Sequence, residues 1–128
     1  MKIDHFALYT EDLPRMRAFY ERFFAGRAGA KYHNSATGLE TIFLQFPDGG
    51  RLELMRRPGV AGGDARSSRL GYAHLAFTVG TPQDVDRLSA HIREAGYPVL
   101  SGPRMTGDGY YESCVLDPDG NPVELVAE

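Results

Sequence analysis

The sequence predicts an α+β fold of two tandem β-α-β-β-β modules, and three repeated features carry that expectation. A Pro-Asp-Gly turn feeding a strand occurs twice, as Phe46-Pro47-Asp48-Gly49-Gly50-Arg51-Leu52-Glu53-Leu54-Met55 and as Asp117-Pro118-Asp119-Gly120-Asn121-Pro122-Val123-Glu124-Leu125-Val126. Upstream of each lies a strand pattern with a central His: Ile3-Asp4-His5-Phe6-Ala7-Leu8-Tyr9-Thr10 and Tyr72-Ala73-His74-Leu75-Ala76-Phe77-Thr78-Val79. Helix-start chemistry follows each His strand. A unit of this kind has one uncovered sheet face that it cannot bury alone. Two copies related by approximate two-fold symmetry are therefore expected to form a curled mixed sheet or incomplete barrel around a shared cavity.

Taken in order, Thr10-Glu11-Asp12-Leu13-Pro14 offers a capping Asp and a first-turn Pro. Leu13, Met16, Phe19, Tyr20, Phe23 and Phe24 recur at three and four, a stripe for core packing, and Gly26 is placed to stop the helix. A short strand is expected around Ala30 to His33, then a longer one over Thr41-Ile42-Phe43-Leu44-Gln45-Phe46, which the first Pro-Asp-Gly turn joins to Arg51 to Met55. From Arg57 to Leu70 the composition shifts to Gly, Ala, Ser and Arg without a period. The expected layout is a single domain over 1–128, with modules at about 1–57 and 70–128 and a linker at 58–69. In the second module Thr81-Pro82-Gln83-Asp84 starts a helix whose face is Val85, Leu88, Ile92 and Ala95, stopped by Gly96. Pro98-Val99-Leu100 reads as a short strand and Tyr110 to Leu116 as a longer one. The three glycines of Gly102-Pro103-Arg104-Met105-Thr106-Gly107-Asp108-Gly109 suit either a mobile cover or a plain hairpin connection.

With 128 residues, 42% hydrophobic and 24% charged, the chain has the balance of a globular domain able to bury a core. No apolar run approaches the ~20 residues of a membrane span, and the start lacks a signal-peptide pattern, so the expectation is cytoplasmic, with no membrane partner. A net charge of −3 and no Lys/Arg stripe speak against nucleic acid. Arg51, Arg56, Arg57, Arg66 and Arg69 are interrupted by acidic residues and glycines. Cys114 is the only cysteine, which excludes an internal disulfide, and its apolar strand suits a buried inert thiol.

Strand parity decides what faces the cavity. His5 shares a face with Ile3, Ala7 and Tyr9, and Glu53 with Arg51 and Met55, while Leu52 and Leu54 point away. His74 likewise goes with Tyr72, Ala76 and Thr78, and Glu124 with Val126. Two imidazoles and two carboxylates at repeat-equivalent positions suit a divalent first-row metal with open positions for substrate. His33 and His91 have no repeat mates and read as surface or satisfied histidines.

At these residues the chain resembles the vicinal oxygen chelate superfamily, which includes glyoxalase I, fosfomycin-resistance proteins, extradiol dioxygenases, methylmalonyl-CoA epimerase and bleomycin-resistance proteins. The resemblance covers essentially the whole chain and rests on the doubled plan, the closing Asp117-Pro118-Asp119-Gly120-Asn121-Pro122-Val123-Glu124, Gly71-Tyr72-Ala73-His74-Leu75-Ala76-Phe77 and Arg17-Ala18-Phe19-Tyr20. It implies a metal cavity with His5, Glu53, His74 and Glu124 as ligands in the glyoxalase I pattern, holding nickel, cobalt or zinc. It also implies proton-transfer isomerisation, of lactoylglutathione lyase type, with Glu124 as general base, and a homodimer whose sites lie within one chain or across two. Bacterial glyoxalase I places an Arg four residues after the first His and an Asn four after the first Glu, both touching glutathione. This chain has Tyr9 and Arg57 there, a departure that points away from glutathione. Tyr9, Arg57, Arg104 and Tyr110 are the expected substrate contacts. The alternatives are a metal-dependent epimerase or thiol transferase, and a non-catalytic drug- or metabolite-binding protein of the bleomycin-resistance type. Tyr9, Phe43, Tyr110 and Tyr111 would wall the pocket of such a binder, though Phe43 reads first as core.

Overall fold

Asp12 and Thr81 each start a helix that covers one face of one sheet. In the computed structural model, which describes residues 3–62 and 71–128, the chain divides into two units, Met1–Gly63 and Asp64–Glu128. The first holds β1 (Phe6–Tyr9), α1 (Leu13–Phe24), β2 (Arg27–Ala28), β3 (Tyr32–His33), β4 (Glu40–Gln45) and β5 (Arg51–Arg56). The second holds β6 (Leu75–Gly80), α2 (Pro82–Glu94), β7 (Val99–Met105), β8 (Tyr111–Leu116) and β9 (Pro122–Ala127). Sheet order is β1-β5-β4-β2 in one, with β3 also on β4, and β6-β9-β8-β7 in the other. Each is an open mixed sheet: the His strand runs parallel to the strand that follows the Pro-Asp-Gly turn, and that strand is antiparallel to the one before the turn. The α+β class and the doubled module stand as expected.

The α1 stripe is buried at all six expected positions. It packs on β4 and β5, whose Ile42, Leu44, Leu52 and Leu54 are also buried. Burial of side chains this size is worth about 1.5–3 kcal/mol each relative to exposure, which is what fixes the strand parity. The helix is stopped by Ala25, in the left-handed region at φ 54°, rather than by Gly26. Gly26 instead allows close packing, since a Cβ there would lie 3.2 Å from both the Phe46 ring and the Tyr20 carbonyl oxygen. At α2 the Thr81 and Asp84 side chains cap each other's backbone N–H groups, as the sequence implies. Its inner face is Val85, Ser89 and Ile92; Leu88 and Ala95 sit half-buried beside it.

Two expectations about connections change. The single strand expected near Ala30 to His33 is two short strands, β2 and β3, whose registers on β4 differ by one residue. The Gly29 N–H still donates to Phe43 O at 2.8 Å, so the interruption is a bulge in one edge rather than a loop. The stretch from Gly102 to Met105, expected to open a long loop, belongs to β7, with register shifts that accommodate the Gly-Pro pair. Only Thr106 to Tyr110 remains as a connection. It is the same turn as the two Pro-Asp-Gly turns: Thr106 N–H donates to Tyr110 O, Phe46 N–H to Gly50 O, and Asp117 N–H to Asn121 O. Each has a glycine with positive φ in its fourth position: Gly49, Gly109 and Gly120. The mobile-cover reading therefore gives way to an ordinary hairpin turn.

Of the linker expected at 58–69, the part after Gly62 lies outside the described residues. Before it, the Val60 N–H donates to Arg57 O, and the Gly62 N–H to the Glu11 carboxylate at 3.4 Å, so the chain leaving β5 turns back toward the start of α1.

Candidate functional site

Each module sets a His just before its first strand and a Glu in the middle of the neighbouring parallel strand, at the same register. Ala7 pairs with Glu53 and Ala76 with Glu124, with the His two residues before the Ala in each case. Both Glu side chains are on the sheet face opposite the helix, between buried Leu52 and Leu54 in β5 and between buried Val123 and Leu125 in β9. The His5 Nε2 lies 3.6 Å from Glu53 Oε2, and the His74 Nε2 lies 3.1 Å from Glu124 Oε2. All four side chains keep part of their surface exposed, from 17% for Glu53 to 42% for His74. They can therefore exchange protons or ligands with solvent while the strands fix their backbones.

The surroundings of the two pairs differ. In the first module the Asp4 Oδ2 is 2.8 Å from His5 Nδ1 and also accepts a hydrogen bond from the Arg51 guanidinium. His5 and Arg51 together hold the Asp4 carboxyl below its ordinary range. Phe43 meets the His5 ring edge-on, at 5.2 Å between centroids and 84° between planes, and the Arg51 guanidinium stacks on Phe43 at 4.9 Å. Phe43 pairs directly with Glu53, so it belongs to the His–Glu face and not, as its apolarity suggests, to the helix-facing core. In the second module the residue paired with Glu124 is Cys114. Burial, then the nearby Glu124 and Glu112 carboxylates, pushes its thiol pKa up, which fits the inert thiol expected from the sequence.

The expected substrate contacts fall in three kinds of place. Tyr9 pairs with Met55 and so shares the face of Glu53, with nearly half its surface exposed. Arg104 pairs with Glu112 on the face of Glu124, its guanidinium 3.8 Å from the Glu112 carboxylate. Arg57 and Tyr110 lie just outside strands, both exposed. Tyr111, named as a pocket wall, is on the helix side, where its hydroxyl donates to Asp86 of α2 at 2.7 Å. His33 and His91 are exposed on β3 and α2. Asp4 and Glu112 escaped the sequence reading, as did the role of Arg51. Parity alone places Arg51 beside Glu53, but its partner Asp4 is visible only once the β1–β5 register is known.

Each module thus sets one imidazole against one Glu, with Asp4 on the other ring nitrogen of His5 in the first; among the described residues no group of three or more His, Cys, Asp or Glu gathers as a metal cluster. Two donors of these types on each rigid sheet fit half of a first-row metal site.

Residues 2–125 match the model of the Glyoxalase/Bleomycin resistance protein/Dioxygenase superfamily. The chain belongs to this superfamily. It is 32% identical over 128 residues to biphenyl-2,3-diol 1,2-dioxygenase 3 of Rhodococcus globerulus, covering 97% of this chain and 62% of that protein. Among solved structures it resembles the trypanothione-dependent glyoxalase I of Leishmania major, with TM-score 0.80 and 24% identity over 100% of this chain and 87% of that one. It also resembles the fosfomycin resistance protein FosX of Listeria monocytogenes, determined with Mn(II) and sulfate, with TM-score 0.74 and 20% identity over 99% and 91%. The superfamily contains many enzymes, and divalent metal binding occurs within it. No helix among the described residues is long and apolar enough to cross a membrane.

Proposed function

We propose that the chain is a divalent-metal-dependent enzyme of the glyoxalase type, acting on a small substrate with two adjacent oxygens, with His5, Glu53, His74 and Glu124 as the ligand set. The observation that carries this reading is the identical register of the two His–Glu pairs. A satisfied core His or a solvent-facing Glu has no reason to recur at one register in both modules. The donor set suits nickel, cobalt or zinc, and the proposed assembly is a homodimer. A bound divalent ion would stabilise negative charge developing on a carbonyl oxygen.

Within this reading Glu124 is the general base. Its carboxylate takes the proton from the carbon next to the carbonyl and returns it to the neighbouring carbon, a lyase/isomerase reaction. Arg104, on the face of Glu124, meets an anionic group of the substrate, and Tyr9, Arg57 and Tyr110 supply the remaining contacts. The proposed compartment is the cytoplasm. The test is carbon-bound deuterium in product formed in D2O, with hemithioacetals of methylglyoxal and small thiols as substrates and nickel, cobalt or zinc supplied. Wild type should incorporate solvent deuterium, and Glu124→Gln should be slower by about 10²–10⁴-fold. No exchange with any of the three ions, or undiminished exchange in Glu124→Gln, would contradict the reading.

A further inference from the structure

We propose that Asp4 is a positioning residue that fixes His5 as the Nδ1–H tautomer, leaving the Nε2 lone pair on the side of Glu53. The inference rests on the reading of His5 as a metal ligand. An ionised carboxylate can only accept a hydrogen bond, so at 2.8 Å from Asp4 Oδ2 the Nδ1 must be the protonated nitrogen. In the neutral ring the other nitrogen, Nε2, then carries the lone pair, and it is the one directed toward Glu53 Oε2. A neutral imidazole's tautomer is set by the bond its other nitrogen makes.

Three contacts hold this arrangement. Arg51 donates to the same Asp4 oxygen, which keeps that carboxylate ionised and in place. Phe43 closes on the ring edge and is itself covered by Arg51. The Arg51–Asp4–His5 chain thus crosses from β5 to the residues just before β1 and pins the imidazole from the side away from Glu53. The positions equivalent to Asp4, Arg51 and Phe43 in the second module carry none of these side chains. The residue before His74 is Ala73, the residue two before Glu124 is Pro122, and the residue paired with Glu124 is Cys114. The two histidines therefore differ in their surroundings: His5 is held by Asp4 and Phe43 as well as facing Glu53, and His74, which faces Glu124, lacks both neighbours at the equivalent positions.

Long-range 15N–1H correlation spectra of metal-free protein, at a pH well above the ordinary imidazole range, report the tautomer directly. Wild-type His5 should be protonated on Nδ1. Asp4→Ala should lose that preference, and Asp4→Asn, whose side-chain oxygen still accepts, should retain it. Arg51→Ala should weaken it without moving the His74 signals. In parallel, Co(II) and Zn(II) affinity measured by competition with a chelator should fall about 10–100-fold in Asp4→Ala and recover in Asp4→Asn. A wild-type His5 protonated on Nε2, or a tautomer or affinity unmoved by Asp4→Ala, would overturn the proposal. Failure of the wild type to bind either ion would instead overturn the metal reading, and the tautomer spectra decide the Asp4–His5 contact separately.

Discussion

Ser89 sets a hydroxyl into the apolar seam between α2 and its sheet. It is 1% exposed, and its Oγ has no hydrogen-bond partner among the described residues, while Val85 and Ile92 on the same helix face are fully buried. A buried hydroxyl without a partner costs more than the same space filled by a methyl. Ser89→Ala should therefore raise stability by about 1 kcal/mol in urea unfolding, and a loss would show that the hydroxyl is satisfied in solution. Gly102 is the opposite case. Its φ is +78°, and a Cβ there would lie 2.5 Å from the Glu112 carbonyl oxygen in the next strand. Gly102→Ala should cost roughly 2 kcal/mol or more, because both the backbone conformation and the β7–β8 spacing must shift. An unchanged midpoint would mean that this bulge is looser than its contacts imply.

At the level of elements, what the sequence disclosed and what it hid follow from the range of the interaction involved. The α1 stripe, both caps and the Leu52/Glu53/Leu54 alternation depend on residues within four positions of one another, so period and capping chemistry were enough. The extension of β7 was hidden because Gly102-Pro103 carries the chemistry of a break, and only pairing with β8 shows that a bulge absorbs it. The Asp4–Arg51 contact spans 47 positions, and it exists because Phe6 pairs with Leu52. Phe43 shows the same dependence, since the register puts it on the face of Glu53, the wall position, and not in the core that its apolarity suggests. The α2 cap makes a prediction of its own. Hydrogen bonds from the Thr81 hydroxyl and N–H hold the Asp84 carboxyl below its ordinary value of 3.8. A depressed carboxyl adds stability above its unfolded pKa and loses it as pH falls through the folded one. The gap in melting temperature between wild type and Asp84→Ala should therefore be full near neutral pH and narrow as the pH falls below the ordinary carboxyl value. A gap independent of pH would remove Asp84 from the account.

For the whole molecule, the doubled plan explains why one chain carries two His–Glu pairs, and the departures at Tyr9 and Arg57 bear on what it acts upon. Tyr9 offers a phenol where a guanidinium would make two charge-assisted bonds to a carboxylate, and Arg57 offers only donors where an amide would also accept. The glutathione hemithioacetal of methylglyoxal should accordingly be a poor substrate, with kcat/KM below about 10⁵ M⁻¹s⁻¹ with nickel, cobalt or zinc. A value above that would show that these two residues do not exclude glutathione. The central claim is that His5, Glu53, His74 and Glu124 act together as one ligand set. The measurement that addresses it most directly is divalent-metal content per chain in purified, folded wild type and in His5→Ala, Glu53→Gln, His74→Ala and Glu124→Gln. The account predicts a stoichiometric ion in wild type, a lower content in every variant and far-ultraviolet circular dichroism unchanged throughout. A metal-free wild type, or metal content the same in all four variants, would contradict it.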